Sequence, residues 1–519
     1  MTSQAIEKVV IVGGGSAGWM TAAALSHFLN LDKTRLTLIE SDDIGTVGVG
    51  EATLPHLRFF NQKLGIDERE FMRETQSTFK LGIEFVNWGS GNDRYMHAFG
   101  EYGSAQQDMP FHHSWLKAYQ NNEAEALSEY SLAVNAAKAN KFQFPSADPN
   151  SVLSKYSYAY HVDATLYARF LRRRSEQAGT TRIEGKIAKV SQNKHSGFIE
   201  TVTLQDGSVI SGDLFIDCSG FKGLLIEQTL KSGFEDWSHW LPCNSAQAVP
   251  CERVEPLIPY SRATAQEAGW QWRIPLQHRT GNGYVYSSDF VDDERATETL
   301  ISTLDAPATR DPIQLRFTTG RRKQFWNKNC VAIGLSCGFL EPLESTSIFL
   351  IQEAITQLIE LFPDKQFDST LSDEFNRLMN VEFEHIRDFL IAHYHVTERT
   401  DTEFWNYVRT MPIPDSLSHK LAMYKRQGHI IKYASGEFLD PSWLAVLSGQ
   451  GMTPDFYHPS AARASKQTLE QILQKQTQAV KEGTSRMQNN AETLEAYLRQ
   501  NSDVQNASSA SASLYGEQR

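Results

Sequence analysis

Cysteine is scarce in this chain: five among 519 residues, at Cys218, Cys243, Cys251, Cys330 and Cys337, with no CxxC pair. An odd count without paired spacing excludes a disulfide framework and a cysteine-based metal site, and fits reduced thiols in a cytoplasmic protein. No metal site is expected. Apolar runs are short as well. None reaches the roughly 18 residues that a membrane span requires. The opening MTSQAIEKVV has no basic segment followed by an apolar one, so no secretory signal is expected. Positive charge is also lacking, since 50 Lys and Arg against 62 Asp and Glu leave a net charge of −12. A duplex binder needs a basic face to neutralise phosphates, so nucleic acid is not an expected partner. The most compact basic run, Arg172-Arg173-Arg174, follows a helical stretch and reads as a solvated helix face.

What remains is a globular composition, 40% hydrophobic and 22% charged. A chain this long predicts two to four structural units. Lys8–Val12 is a β-branched run, followed by GGGSAG, a helical WMTAAALSHFL and a second apolar run ending in Glu40. That order opens a doubly wound α/β domain. After a glycine-rich loop over 44–57, helical pattern is expected to about Phe79, and again over 160–178. Short strands follow over 182–217, turning at Asp206-Gly207 and closing on LFIDCSG. The 236–319 stretch is aromatic, β-branched and Pro-interrupted, which predicts an antiparallel sheet. A buried strand is expected over Cys330–Leu335. Ile348, Ile351, Ile355, Leu358, Ile359 and Phe362 then share one helical face. The pattern stays mostly helical to 450 and over 465–500. These readings divide the chain into a discontinuous nucleotide-binding domain (1–235 with 320–372), an antiparallel segment (236–319), a helical region (373–500) and a disordered Ser/Ala/Asn-rich tail (501–519).

The hexapeptide Gly13-Gly14-Gly15-Ser16-Ala17-Gly18 fits GxGxxG. Gly13 allows the tight turn, Gly15 lets backbone approach a pyrophosphate, and Gly18 lets helix pack on strand. The N–H groups of Ser16, Ala17 and Gly18 would meet the phosphates at a helix N-terminus. Glu40, 22 residues after Gly18 at a strand end, is placed to accept from a ribose hydroxyl. Only one such motif occurs. The second glycine turn, Asp217-Cys218-Ser219-Gly220, lacks its spacing. A single site suits FAD bound once, with electrons arriving from elsewhere.

Four stretches carry a more specific resemblance: VVIVGGGSAGWMTAAAL with GTVGVGEATLP, then Thr78–Ile83 (TFKLGI), GWQWRIP continuing into GNGYVYSS, and GFLEPLEST. With these the chain resembles flavin-dependent halogenases of the tryptophan halogenase family over residues 7 to 460. The resemblance implies a flavin-monooxygenase-like scaffold. Reduced FAD (FADH2) would come from a separate flavin reductase, and chloride or bromide would serve as halogen source. Hypohalous acid formed at the flavin would travel to Lys80 and substitute an aromatic ring. Lys80 would hydrogen-bond that acid or, having lost its own proton, form a haloamine; burial would lower its pKa toward the second, and the sequence does not choose between the two.

Glu344 lies just before a helix, where an acid can stabilise the dipole. The resemblance adds a role beside Lys80, orienting the halogenating species and accepting the ring proton. The first N–H groups of that helix, near Thr346 and Ser347, form an expected halide site. Many relatives have glycine where this chain has Ser347. Trp270 and Trp272 share a strand face and would stand beside the flavin, shielding it from organic substrate. Val47, Gly48, Val49, Gly50 and Ala52 fall in the family's flavin strap, and Leu335 is expected near the cofactor. His97 and Phe99 match positions that sandwich an aromatic ring. No clamp for an amino acid's carboxylate and ammonium is recognisable, so an indole or phenol fits better than free tryptophan. A flavin hydroxylase on the same scaffold and a non-catalytic flavin-binding protein are the alternatives. A homodimer is compatible with the sequence.

Overall fold

The computed structural model describes residues 4–43, 50–106, 109–432 and 438–500. Lys8–Val12 lies at the centre of a six-stranded sheet, paired in parallel with Arg35–Glu40 on one side and Leu214–Asp217 on the other. Thr181–Glu184 extends the first flank and Cys330–Ala332 the second, again in parallel. The short Trp326–Asn327 strand closes the latter edge antiparallel. Helices cover the central strands, which is why they read as unbroken apolar runs rather than alternating ones. The Ser16–Phe28 helix packs against Ala164–Gln177 and Thr346–Glu360. The expected doubly wound α/β domain is present.

A second sheet has seven strands, in the order Ile313–Arg316, Ser245–Cys251, Thr280–Tyr286, Gly269–Pro275, Ser261–Gln266, Gly82–Val86 and Arg94–Ala98. Its pairs are antiparallel except Ser261–Gln266 with Gly82–Val86. The sheet therefore recruits two strands from far upstream of the 236–319 stretch. A three-stranded sheet of Gly50–Ala52, Ala159–Asp163 and Thr78–Lys80 sets the end of the glycine-rich loop next to Lys80. The long Ser369–His395 helix packs on the Thr346–Glu360 helix, and Asp440–Gly449 packs on Arg94–Ala98.

Several expected elements end elsewhere, each for a local reason. The helical pattern after residue 57 becomes two helices, His56–Lys63 and Glu68–Glu74, and Phe79 lies in a strand. Gln76 adopts a positive φ of 53°, which turns the chain out of the helix. Residues 160–163 belong to the Ala159–Asp163 strand, and the helix starts only where Asp163 caps it by accepting from the Thr165 and Leu166 N–H groups. The Cys330 strand stops at Ala332, because Gly334 at φ 79° starts a 3₁₀ turn and leaves Leu335 exposed. The 465–500 helix divides into Lys466–Arg486 and Asn490–Arg499, with Asn489 capping the second. Among the described residues, no helix is long and apolar enough to cross a membrane. Val47, Gly48, Val49 and the 501–519 tail lie outside the described residues.

Candidate active site

The glycine turn between Lys8–Val12 and Ser16–Phe28 is built as its spacing requires. A Cβ on Gly13, whose φ is 113°, would sit 2.2 Å from the Cys218 carbonyl oxygen, and one on Gly18 would sit 1.8 Å from the Gly13 oxygen. A Cβ on Gly15 would meet nothing within 4 Å, so Gly15 borders open space. Gly14, treated as a free position in the motif, is also constrained: its Cβ would fall 1.5 Å from Glu40 Oε2. No side chain caps the Ser16–Phe28 helix, and its first N–H groups face that space as an anion site. Glu40 accepts from Arg182 Nε at 2.5 Å, Arg172 at 3.3 Å and Trp19 Nε1 at 3.2 Å. The Gly334–Ser336 turn abuts the loop, since a Cβ on Gly334 would lie 2.6 Å from Ala17 Cβ. This brings the exposed Leu335 beside the glycine turn.

A second group of residues lies deep in the protein. Lys80 ends the Thr78–Lys80 strand with no solvent exposure. Its Nζ donates to the Thr53 carbonyl at 3.0 Å and to Ser345 Oγ at 2.9 Å, with the Phe99 ring centroid 5.1 Å away. Burial lowers its pKa to about 7, against the opposing attraction of Glu344. Ser345 reaches it because the chain takes a left-handed turn there, at φ 62°, between the Pro342–Glu344 3₁₀ turn and the Thr346–Glu360 helix. The helix start has no side-chain cap, and Thr346 Oγ1 is buried without a partner among the described residues. Ser347 is half-buried in the same turn.

Glu344 is held between two imidazoles. Its Oε2 lies 2.8 Å from His97 Nδ1, and its Oε1 lies 2.7 Å from His393 Nε2. Burial alone would raise its pKa, but the two histidines hold it at about 2. His393 Nδ1 lies 2.8 Å from the Phe389 carbonyl. The His97 ring lies among Phe99, Phe389 and Phe438, at centroid distances of 6.4, 5.8 and 6.3 Å. His393 and Ser345 escaped sequence reading as site residues; a lone histidine on a long helix has no local signature.

Trp270 and Trp272 do share a face, with ring centroids 6.2 Å apart. Trp272 lies opposite Gly283, where a Cβ would come within 2.1 Å of its ring. The Trp270 Nε1 donates to buried Glu341 at 2.7 Å, and the Tyr394 hydroxyl donates to the same oxygen at 2.6 Å. Burial pushes Glu341 up to about 7, against these two hydrogen bonds.

The family model of tryptophan halogenases matches residues 8–466. The chain belongs to the tryptophan halogenase family. This halogenase is 35% identical to the tryptophan 7-halogenase RebH of Lentzea aerocolonigenes, over 95% of this chain and 98% of that one. It is 39% identical to the tryptophan 6-halogenase ThaL of Streptomyces albogriseolus, over 81% and 82%. Among solved structures, the flavin-dependent halogenase Xcc4156 of Xanthomonas campestris superposes with a TM-score of 0.92 at 47% identity, covering 95% and 98%. BrvH, a flavin-dependent halogenase of Brevundimonas sp. BAL3, gives 0.92 at 43% identity, covering 95% and 100%. The protein is therefore a flavin-dependent oxidoreductase that halogenates an aromatic substrate. The open face at Gly15 and the uncapped helix behind it fit the pyrophosphate of FAD.

Proposed function

We propose that this halogenase brings hypohalous acid to Lys80 and uses it for electrophilic substitution of an indole- or phenol-type ring. When bound, reduced FAD supplies the electrons by which O2 and chloride or bromide become water and hypohalous acid; a separate flavin reductase renews it. The Gly13–Gly18 turn and Glu40 hold the dinucleotide, and Trp270, fixed by Glu341, keeps organic substrate from that end. The uncapped start of the Thr346–Glu360 helix, with Thr346 and Ser347, holds the halide.

The observation that carries this reading is the Lys80 site itself. A fully buried amine with its pKa near neutrality can hold hypohalous acid by hydrogen bonding and give up a proton at little cost. Ser345 and the Thr53 carbonyl fix the amine, and ionised Glu344 next to Ser345 orients the reagent electrostatically. The aromatic walls, Phe99, Phe389 and Phe438, accept a flat ring. The test combines protein, FAD, a reductase, NADH and bromide with a panel of indoles and phenols. Mass spectrometry should show the paired isotope pattern of one added bromine. Oxygenated products without halogen would favour the hydroxylase instead.

A further inference from the structure

His112 and His113 stand side by side in the first turn of the Phe111–Gln120 helix, both buried. Their ring centroids lie 4.1 Å apart, and the His113 ring lies 5.7 Å from that of His458. Hydrogen bonds fix where the protons sit. The His458 backbone N–H donates to His113 Nδ1 at 3.3 Å, and the Ser460 N–H donates to His458 Nδ1 at 3.2 Å, capping the Pro459–Arg463 helix. Only an unprotonated nitrogen can accept, so both Nδ1 atoms carry lone pairs. His112 Nε2 lies 2.8 Å from the Gly428 carbonyl and donates to it, since a carbonyl only accepts. Gly428, at φ 64°, packs closely on this pair: a Cβ there would lie 3.5 Å from the His113 ring.

The charged surroundings are mostly positive. Burial, then the charges of His112, His458 and His429, hold the His113 pKa down at about 3. His112 faces Asp440 and His429, and Asp440 is paired with Lys432 at 3.3 Å. Asp455 is taken by Lys425 at 3.0 Å. Lys117 donates to the carbonyls of Ala461, Ala462 and Ala464. Residues 428–432 also border the aromatic walls of the Lys80 site. Lys420 donates to the Ile431 carbonyl at 2.7 Å and lies 4.2 Å from the Trp443 ring centroid, and Trp443 meets Phe389 edge-on at 4.9 Å.

We propose that His112, His113 and His458 form an acid-released clasp. While neutral, they hold residues 428–432 and the Pro459–Arg463 helix to the Phe111–Gln120 helix. A proton on either Nδ1 turns an acceptor into a donor that faces a backbone N–H, and sets a cation among close-packed imidazoles. The sign is definite. The closed His113 value of about 3 lies below the ordinary 6.5, so an opened ring binds the proton more readily, and the clasp weakens as pH falls below 6.5. Its release loosens the support of Trp443 and Phe389, so the pocket holds its aromatic substrate less tightly in acid; this consequence rests on the reading above.

The test is hydrogen–deuterium exchange of the FAD-loaded, full-length protein at about pH 7.5 and about pH 5, corrected for the intrinsic rate at each pH. A ring at about 3 when closed and 6.5 when open raises the open fraction about thirtyfold over that interval. Protection of peptides spanning 428–432 and 458–464 should fall by about that factor, and more than elsewhere in the chain. His113→Asn keeps an acceptor oxygen near the place of Nδ1 and does not titrate, so its protection there should stay nearly level. The wild-type profile decides alone if that variant does not fold. In bromination assays, the wild-type KM for indole should rise over the same interval and that of H113N should not. Protection that falls no more at these peptides than elsewhere, or as steeply in H113N, would overturn the clasp. A wild-type KM that stays level, or rises as much in the variant, would overturn its link to the pocket. Failure of the wild type to brominate any substrate would instead refute the reading beneath that link, while exchange still judges the clasp.

Discussion

Replacing Lys80 by methionine should stabilise the protein while abolishing its chemistry. Burial moves the lysine from 10.5 to about 7. At about 1.4 kcal/mol for each pKa unit, holding the ammonium in the interior costs about 5 kcal/mol. Methionine of similar length removes that cost but leaves the Thr53 carbonyl without its donor, a loss of about 1–3 kcal/mol. A net gain of about 3 kcal/mol remains. For 519 residues the unfolding entropy near 60 °C is about 1.1 kcal/mol/K, so the gain is worth about 3 °C in Tm. Its pH dependence has a definite sign. Between about pH 7 and 10.5 the unfolded chain binds more protons at this site than the native one, so wild-type stability rises through that window. The advantage of K80M should therefore be greatest below pH 7 and fade toward pH 10. Calorimetry at about pH 6 and about pH 9 reads both effects. A variant that melts at or below the wild type near pH 6, or a gap of the same size at both values, would refute the reasoning.

Glu344→Gln should act in the opposite direction. The carboxylate is held at about 2 rather than 4.5, which contributes about 3 kcal/mol, present above pH 4.5 and lost as pH falls toward 2. The variant should melt about 3 °C lower at neutral pH, with the deficit shrinking in acid; the check is a Tm series. Gly15→Val should fold normally, because its Cβ enters open space, yet lose FAD binding in a fluorescence titration. Gly13→Ala should instead lower Tm, because its Cβ would meet the Cys218 carbonyl. In a competition at equal concentration, indole should be halogenated at least as well as tryptophan, at its most electron-rich carbon, with positions assigned by NMR. Each charge-assisted hydrogen bond missing from an amino-acid clamp withholds about 1.5–3 kcal/mol.

Local chemistry made much of this readable from sequence. The glycine turn, the apolar strands on either side of it and the amphipathic Thr346–Glu360 helix are each specified by residues within a few positions of one another. What escaped is non-local. The pairing of Gly82–Val86 with Ser261–Gln266 joins strands some 180 residues apart, and no periodicity announces it. His393 meets Glu344 across 49 residues; the helical pattern of Ser369–His395 gives its face but not what that face meets. The overlong helix before Phe79 and the overlong strand to Leu335 share one cause. Apolar patterning continues past a backbone reversal, at Gln76 in the first case and at Gly334 in the second. Gln76 carries no turn signature, and Gly334 is followed by further apolar residues.

The most direct test of the account is a Lys80→Ala variant assayed with FADH2, O2, bromide and indole, following oxygen consumption and bromoindole together. Lys80 acts after the oxidation of halide, so FAD binding and oxygen consumption should match the wild type while bromoindole disappears. Bromoindole formed at the parent rate would show that free hypohalous acid does the work and that the buried lysine has no part in it.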